Sequence, residues 1–217
     1  MPIPLLSLVL LTPLAGMLVL LLLPSGNKKL IRLWANAAGL LSFLVSVPLA
    51  LHFDKSLPGF QFTEDLNWIP FLGVRYMLGL DGISLLLVML TTVMSFLAIL
   101  CSWSAVEDRL KSYYSMLLLL ETGMLGVFLA LDFFLFYVFW EVVLVPMYFL
   151  IGVWGGPRKL YAAIKFFLYT LTGSVLMLVA MLVLYFAHQE QFGVYTFNIQ
   201  ELLRTSMPVA TQQWVFW

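Results

Sequence analysis

Residues Phe133–Trp154 read FFLFYVFWEVVLVPMYFLIGVW, an apolar stretch whose single charged side chain is Glu141. About 20 predominantly apolar residues carry an α-helix across the hydrocarbon core of a bilayer. Their length and composition predict that these 22 residues form a transmembrane helix. An acidic side chain retained inside such a helix then requires an explanation of its own.

Five further stretches have the same character. The six predicted spans cover about residues 4–23, 30–53, 82–103, 113–131, 133–154 and 162–187, and a seventh begins at Trp214. The whole chain is 63% hydrophobic and 10% charged, with a mean hydropathy of +1.02, whereas soluble domains carry about 25% charged residues. We therefore predict an all-α polytopic membrane protein with a single membrane domain, 1–217, and no soluble domain.

The two ends of the chain carry their own predictions. The stretch from Met1 to Leu23 has no basic segment before its apolar run and no small-residue cleavage site after it. We expect it to be a retained first span and not a cleaved signal peptide. At the other end, an apolar run opens at Trp214 and stops at Trp217. We expect the chain to be truncated relative to a longer parent protein.

Basic residues alternate between the connecting loops. The loops after spans one, three and five hold seven basic residues: Lys28, Lys29, Arg32, Arg109, Lys111, Arg158 and Lys159. The loops after spans two, four and six hold three: Lys55, Arg75 and Arg204. Cytoplasmic loops of membrane proteins carry the excess of Lys and Arg. The N-terminus is therefore predicted outside, with the odd-numbered loops in the cytoplasm or matrix.

The two longest loops contain local structure of their own. Strand-like pieces at 59–63 and 73–80, separated by Pro70, predict a short hairpin. In the last loop, Asn198 to Glu201 fits a capping box that opens a short helix over 199–204. We interpret His52 and His188, at the ends of apolar runs, as polar flanks.

Several kinds of chemistry are disfavoured. The single cysteine, Cys101, excludes an internal disulfide and a cysteine metal cage. The net charge is zero with no basic stripe, so we expect no nucleic-acid binding. No phosphate loop, metal-ligand cluster or Ser–His–Asp arrangement is visible. We expect no metal, bound cofactor or redox chemistry in this chain.

Glu141 is the strongest candidate for a functional residue. It lies about 4 Å from the midpoint of its span, at about 1.5 Å of rise per residue. Pro146 cannot donate a hydrogen bond to the Val142 carbonyl, so a polar acceptor is released beside the carboxylate. Such a backbone survives at membrane depth where it lines a cavity or packs on protein. Proton transfer is the predicted role, and the alternative is a protonated glutamate that only hydrogen-bonds a neighbouring helix.

Glu121 is the second candidate, near the middle of span four. Spans four and five turn near Asp132, with Glu121 eleven residues before that point and Glu141 nine after it. The two carboxyl groups are therefore predicted at nearly the same depth. If their faces meet, they would titrate as a pair and could relay protons. The alternative is an unrelated polar packing residue.

Lys165, near the start of span six, is the third candidate. Its side chain could extend to the headgroups along its own methylene stem. It could also pass protons to Glu141, or modulate it, through water. The two residues differ in depth by about 18 Å, so we do not expect direct pairing.

Four stretches of sequence carry a family resemblance. GVFLALD, 126–132, leads into FWEVVLVPMYFL, 139–150, while LGLDGIS, 78–84, and AIKFFLYT, 163–170, stand before span three and in span six. With these motifs the chain resembles, along its whole length, the antiporter-like subunit M family of bacterial NADH–quinone oxidoreductase, respiratory complex I. The Trp-Glu-x-x-Leu-x-Pro-Met core is the most specific of them.

The resemblance implies a fold and a function. Family members have about fourteen helices with two inverted five-helix repeats, and this chain would be the front part of one. The glutamate matching Glu141 pairs with a lysine on the seventh helix, beyond Trp217. The family couples quinone reduction elsewhere in the complex to proton transfer. NADH, FMN, iron–sulfur clusters and quinone belong to other subunits, and other membrane subunits and the lipid of the inner (plasma) membrane are the expected partners.

Two other functions remain open from the residues alone. Mrp-type sodium/proton antiporter subunits and membrane subunits of related hydrogenases share a looser version of the motif. A purely structural membrane scaffold is the third possibility. It would tolerate Glu141→Leu, because an apolar side chain can replace a buried charge without loss of stability.

Overall fold

The computed structural model describes residues 4–216, and six long helices make up most of it. They are α1 (Leu5–Leu22), α2 (Lys28–His52), α3 (Gly82–Ala105), α4 (Leu110–Leu129), α5 (Phe133–Trp154) and α6 (Lys159–Phe192). Each is long and apolar enough to cross a membrane, judged by length and composition. The predicted all-α membrane fold with six spans is therefore confirmed.

The observed helices differ from the predicted spans mainly at their ends. Helix α6 has 34 residues and extends beyond the predicted 162–187 in both directions. Hydropathy marks the part of a helix that suits hydrocarbon, whereas backbone hydrogen bonding continues through polar residues such as His188 and Glu190. The helix ends at Gly193, which has a left-handed backbone with φ +71°. Glycine suits this position, and the Gly193 N–H donates to the Gln189 carbonyl at 2.8 Å.

Consecutive helices run antiparallel, and α4 is the central element. It packs against α1, α2, α3 and α5, while α6 packs along α5. The loops α1–α2, α3–α4 and α5–α6 therefore lie together at one end of the bundle, here called the basic end. The opposite end, which carries the loops α2–α3 and α4–α5, is the hairpin end.

Two clusters of buried apolar side chains fill the bundle. The cluster at the hairpin end includes Leu6, Val9, Leu10, Leu49, Val88, Leu125 and Leu129, and that at the basic end includes Leu20, Ile31, Ala35, Ile99, Tyr114 and Leu118. Both draw on α1, α2, α3 and α4. These four helices form the core of the bundle, while α5 packs against α4 and α6 packs against α5.

A two-stranded hairpin covers one end of the bundle. Strands β1 (Gln61–Ile69) and β2 (Val74–Leu80) pair antiparallel, joined by a 3-10 turn at Pro70–Leu72 and by Gly73 at φ +66°. The predicted first strand, 59–63, was wrong in extent. Strand pairing uses backbone groups, so it continues through polar residues that face water and that hydropathy reads as loop.

Backbone hydrogen bonds tie this hairpin to two other segments. The Leu131 N–H donates to the Met77 carbonyl at 2.9 Å, and the Phe133 N–H donates to the Phe197 carbonyl at 2.8 Å. The Ile199 N–H donates to the Leu131 carbonyl at 3.0 Å. The α4–α5 turn thus lies between β2 and the segment after α6, and the start of α5 is held at a defined place.

Two short helices follow α6. Helix α7 (Ile199–Leu202) begins at the predicted residue, and the Asn198 side chain accepts from the Gln200 N–H at 2.9 Å. The helix ends before the predicted last residue, Arg204. In a capping box the Glu201 side chain would accept from the Asn198 N–H, but this N–H donates to Thr196 Oγ1 instead. Helix α8 (Val209–Phe216) begins earlier than the predicted Trp214. The last residue of that predicted span, 217, lies outside the described residues.

The two histidines have different environments. His52 is exposed, with Nδ1 2.9 Å from the Pro48 carbonyl oxygen. His188 is buried, lies 2.8 Å from Thr205 Oγ1 through Nδ1, and stacks on Phe192. Its interpretation as a simple polar flank was wrong. The segment after α6 folds back over the helix end, which hydropathy along α6 does not reveal.

Candidate functional site

The start of α5 fixes the depth of Glu141. Asp132 caps the helix, and its carboxylate accepts from the N–H groups of Phe134 and Leu135 at 3.0 and 3.1 Å. Glu141 follows eight residues after the first residue of α5, which places it about 12 Å along the helix axis. The helix remains continuous through Pro146, which is buried. Proline here removes one backbone hydrogen bond without interrupting the helix.

Glu141 faces the side of α5 that packs against α6. Its side chain is half-buried, and Oε1 is buried without a hydrogen-bond partner in the protein. The Tyr137 hydroxyl, one turn earlier, interacts with both Glu141 and Ser174 of α6. A carboxylate beside a hydroxyl group that itself contacts a second hydroxyl is an arrangement that can take up and pass on a proton.

Two glycines set the contact between α4 and α5. A methyl group on Gly126 would lie 2.1 Å from the Phe139 ring, and one on Gly123 would lie 2.7 Å from a Val143 methyl carbon. The helix backbones therefore approach as closely as only small residues permit. Gly123 and Gly126 lie on the face of α4 that packs against α5.

Glu121 lies on the other side of α4. It is two residues from Gly123, which at about 3.6 residues per turn is about 200° around the helix. The structure accordingly directs it to α2, where Ser42 Oγ donates to Glu121 Oε1 at 2.5 Å. Glu121 is fully buried, and its Oε2 has no hydrogen-bond partner in the protein.

The two glutamates are therefore not brought together. Glu141 is two residues from both Phe139 and Val143, the residues that meet α4, so it too points away from the α4–α5 contact. The depths nevertheless agree to about one helical turn, or about 5 Å, because Gly126 lies opposite Phe139. Titration as a pair, which required the two faces to meet, is contradicted by this arrangement.

Sequence reasoning missed the hydroxyl groups around Glu121. Ser42 and Ser46 lie one turn apart on α2, and Ser46 Oγ is 3.1 Å from Thr92 Oγ1 of α3. All three side chains are fully buried. The i, i+4 spacing of two serines in an apolar span was the available signal, because it places both hydroxyls on one face.

Lys165 lies far from both glutamates. Ala163 lies opposite Gly152, and the Phe167 ring is 5.5 Å from the Tyr148 ring, so Lys165 is level with the last third of α5. It is nine residues, or about 14 Å along α6, from Ser174, which interacts with the Tyr137 hydroxyl beside Glu141. Direct pairing with Glu141 is absent, in agreement with the prediction.

The Lys165 side chain instead lines an open groove at the basic end. Its Nζ lies 5.8 Å from the centroid of the Tyr161 ring. The groove has a volume of about 560 Å³ and also includes Arg158 and Lys159. This position, exposed and next to other cations, fits a lysine that extends toward lipid headgroups.

No metal site is found in the part of the chain that the structure describes. Within 4–216, no three His, Cys, Asp or Glu side chains come close enough together to hold a metal ion. The groups available for chemistry are carboxyl, hydroxyl and ammonium groups. Such groups bind and transfer protons.

Comparisons with known proteins show which sequences this chain is similar to. The model described as "NADH:quinone oxidoreductase/Mrp antiporter, TM" matches residues 130–216. NADH-quinone oxidoreductase subunit M of Rhodobacter capsulatus is 49% identical over 188 residues, which cover 83% of this chain and 36% of that protein. The chain spans less than half the length of the curated relatives it matches.

Solved structures agree with the sequence comparisons. A chain of respiratory complex I from Thermus thermophilus with bound NADH matches with a TM-score of 0.81 and 31% identity, covering 97% of this chain and 41% of that one. A chain of the Mrp complex from Dietzia sp. DQ12-45-1b matches with a TM-score of 0.73 and 23% identity, over 97% and 22%. The second likeness shows the fold alone.

Curated relatives named subunit M align with most of this chain. The family model covers the segment that contains Asp132, Glu141 and Lys165. The chain is similar to part of subunit M, and its residues 130–216 match the model of the antiporter-like membrane subunits of NADH–quinone oxidoreductases and Mrp antiporters.

Proposed function

We propose that this chain is a proton-translocating membrane subunit of a NADH–quinone oxidoreductase. Glu141 is the proton-transfer residue, Glu121 a further proton carrier, and Lys165 a residue that modulates proton entry at the basic end. The chain works beside other membrane subunits of the complex. NADH, FMN, iron–sulfur clusters and quinone are bound by those other subunits, which carry out the redox chemistry.

One observation carries this proposal. The Glu141 carboxylate lies well inside a membrane-spanning helix, with one buried oxygen that has no protein partner and with the Tyr137 hydroxyl, which also interacts with Ser174, beside it. An ionisable group is costly at such depth, and proton relays are one of the functions that retain such groups there. The similarity to subunit M of Rhodobacter capsulatus supports the choice of complex.

The loop charges support an orientation. The loops at the basic end carry most of the lysines and arginines, which the positive-inside rule places in the cytoplasm. The N-terminus and the hairpin would then lie outside a plasma membrane. Labelling of cysteines introduced at Lys55 and at Lys159 with a membrane-impermeant reagent on intact cells tests this, because Lys55 alone should react.

Glu141→Gln in the native assembly tests the function. The amide keeps the shape of the side chain but cannot exchange a proton, so NADH-driven acidification of inverted membrane vesicles should be lost or strongly reduced. NADH oxidation by artificial acceptors and the amount of assembled complex should stay unchanged. Glu107→Gln, the same substitution in the exposed α3–α4 loop, is the matched control.

Unchanged proton pumping in Glu141→Gln would remove this residue from the mechanism. Retained pumping together with raised stability in Glu141→Leu would favour the scaffold function instead. A pH gradient that depends on sodium, formed without any NADH dehydrogenase activity, would favour the Mrp-type alternative. The likeness to the Mrp structure shows a shared fold and does not separate the two ions.

A further inference from the structure

Glu121 is buried in a place that the proposed role of Glu141 does not use. Its side chain is fully enclosed between α4 and α2, with Ser42 Oγ bonded to Oε1 and with Oε2 unpartnered. Ser46 and Thr92, also fully buried, extend this polar cluster one turn toward the hairpin end. A buried carboxyl group with one neutral donor is stable as the protonated acid.

No charged side chain from a neighbouring element offsets a negative charge at Glu121. Within the described helices packed on α4, α1 holds no ionisable side chain and α3 holds only the exposed thiol of Cys101. The remaining groups lie at the ends of α2, in β2, or on the far side of α5: Lys28, Lys29, Arg32, His52, Arg75, Tyr76, Tyr137, Glu141 and Tyr148. Ionisation of Glu121 therefore requires that water or a proton carrier reach it.

A second set of unpartnered polar atoms lies on the route to the basic end. Tyr114 is seven residues, or about two turns, before Glu121 and lies on the same face of α4. Its buried hydroxyl group interacts with the Arg32 side chain of α2. The Tyr114 hydroxyl, Arg32 Nε and Asn36 Oδ1 are all buried without a hydrogen-bond partner in the protein. Clusters of such atoms bind water.

Buried apolar side chains, with Leu118 on α4 among them, separate the two polar clusters. Leu118, fully buried, lies on the same face of α4 between Tyr114 and Glu121. The interval is about 10 Å along the axis. About three hydrogen-bonded waters bridge such a distance, since each oxygen-to-oxygen step is about 2.8 Å. Movement of the Leu118 side chain would admit them.

We propose that Glu121 is a second proton-binding site, loaded and unloaded from the basic end past Leu118 and separate from the Glu141 site. On loading, a protonated water near Arg32 and Tyr114 gives up a proton along the water chain, and an O–H bond forms at Glu121 Oε2. On unloading, that bond breaks and the proton returns to water. The step needs no oxidant or reductant, and it does not require Glu141 to transfer protons.

Infrared difference spectroscopy of the native assembly after a pH jump tests this proposal. We expect a carbonyl band of a protonated carboxylic acid that titrates, shifts in D₂O, and is lost in Glu121→Gln. The band should persist in Glu141→Gln, because the two sites face away from each other. Ser42→Ala should shift its frequency, because Oε1 loses its donor, and this second variant assigns the band if Glu121→Gln fails to assemble.

Two substitutions at Leu118 test the route. Leu118→Ala should speed deuterium exchange of the Glu121 band, and Leu118→Phe should slow it. A wild-type assembly without a Glu121 band, or with a band that neither titrates nor exchanges, would overturn the proposal. If proton pumping survives Glu141→Gln while the Glu121 band behaves as described, the function proposed for Glu141 is wrong and the second proton-binding site at Glu121 stands.

Discussion

Glu121 and Glu141 lie at about the same depth on adjacent helices but face opposite sides of the α4–α5 pair. Glu121 is bonded to Ser42 of α2, whereas Glu141 lies beside Tyr137, which interacts with Ser174 of α6. Close packing of Gly126 against Phe139 turns both carboxyl groups outward from the contact. The two carboxyl groups, which the sequence suggested could form one site, therefore belong to two separate sites.

This separation predicts independent effects of the two residues on stability. The shifts in the midpoint of thermal unfolding caused by Glu121→Gln and by Glu141→Gln should add in the double variant, to within about 0.5 kcal/mol when converted to free energy. The measurement is a double-variant cycle on the detergent-solubilised assembly. Strong non-additivity would mean that the two side chains communicate after all.

Replacement of Gly126 should destabilise the bundle. The added methyl group in Gly126→Ala would lie 2.1 Å from the Phe139 ring, so α4 and α5 must move apart. We expect a loss of about 1–3 kcal/mol, the usual cost of overpacking, seen as a lower midpoint of thermal unfolding.

The control for this substitution is Gly82→Ala at the start of α3. Nothing lies within 4 Å of the added methyl group there, and alanine suits a helix better than glycine. An equal loss of stability in both variants would show that close α4–α5 approach is not what Gly126 provides.

The Glu64 carboxylate helps to hold the hairpin on α1, beside a hydrogen bond between the Ser7 and Tyr76 hydroxyls. Glu64 of β1 accepts from the N–H groups of Leu6 and Ser7 at the first turn of α1, and the Ser7 hydroxyl also donates to it. Glu64→Ala leaves these donors unsatisfied and should cost about 1–3 kcal/mol. Faster cleavage of the hairpin by an added protease, and a lower unfolding midpoint, are the expected readouts.

Glu64→Gln keeps one acceptor oxygen and should be milder than Glu64→Ala. Glu190→Gln, an exposed carboxyl at the end of α6, is the control. If Glu64→Ala left the hairpin as resistant to the protease as the wild type, the contact would not be stabilising.

The buried carboxyl group of Asp132 should make the free energy of unfolding depend on pH. Burial raises the pKa of this carboxyl group, against hydrogen bonds from the backbone of Leu135, Arg75 and Phe134 that lower it. Its contribution to stability is therefore complete below the ordinary aspartate pKa of about 4 and is lost as pH rises through the folded-state pKa.

Asp132→Asn should remove this slope, because the amide does not titrate. The wild type should be more stable than the variant at low pH, and the difference should shrink as the pH is raised from about 4. Unfolding midpoints measured across that range give the result, with Asp108→Asn in an exposed loop as control. A difference that grows with pH would contradict the raised pKa.

Sequence patterns predicted the elements of this fold well and their ends less well. A run of apolar residues identifies a membrane span because lipid is the solvent, and all six helices follow that rule. Hydrogen bonding, not hydropathy, ends a helix, and so α6 continues to Phe192. The first strand of the hairpin was underestimated for the same reason.

The candidate site was predictable in part. The depth of Glu141 followed from counting residues, because each adds a fixed rise to the helix. The buried serines at 42 and 46 and the burial of His188 were missed, because their partners are distant in sequence. Ser42 bonds a residue 79 positions away, a contact that no local pattern encodes.

Amino-acid order was sufficient for the number of spans, the depth of each charged group and the family resemblance, because these depend on local composition and on a constant helical rise. The direction in which each glutamate points required the folded chain. Rotation of a helix about its own axis is set by side chains that interlock across helices, such as Phe139 against Gly126, and that rotation sends Glu121 toward α2 and Glu141 toward α6.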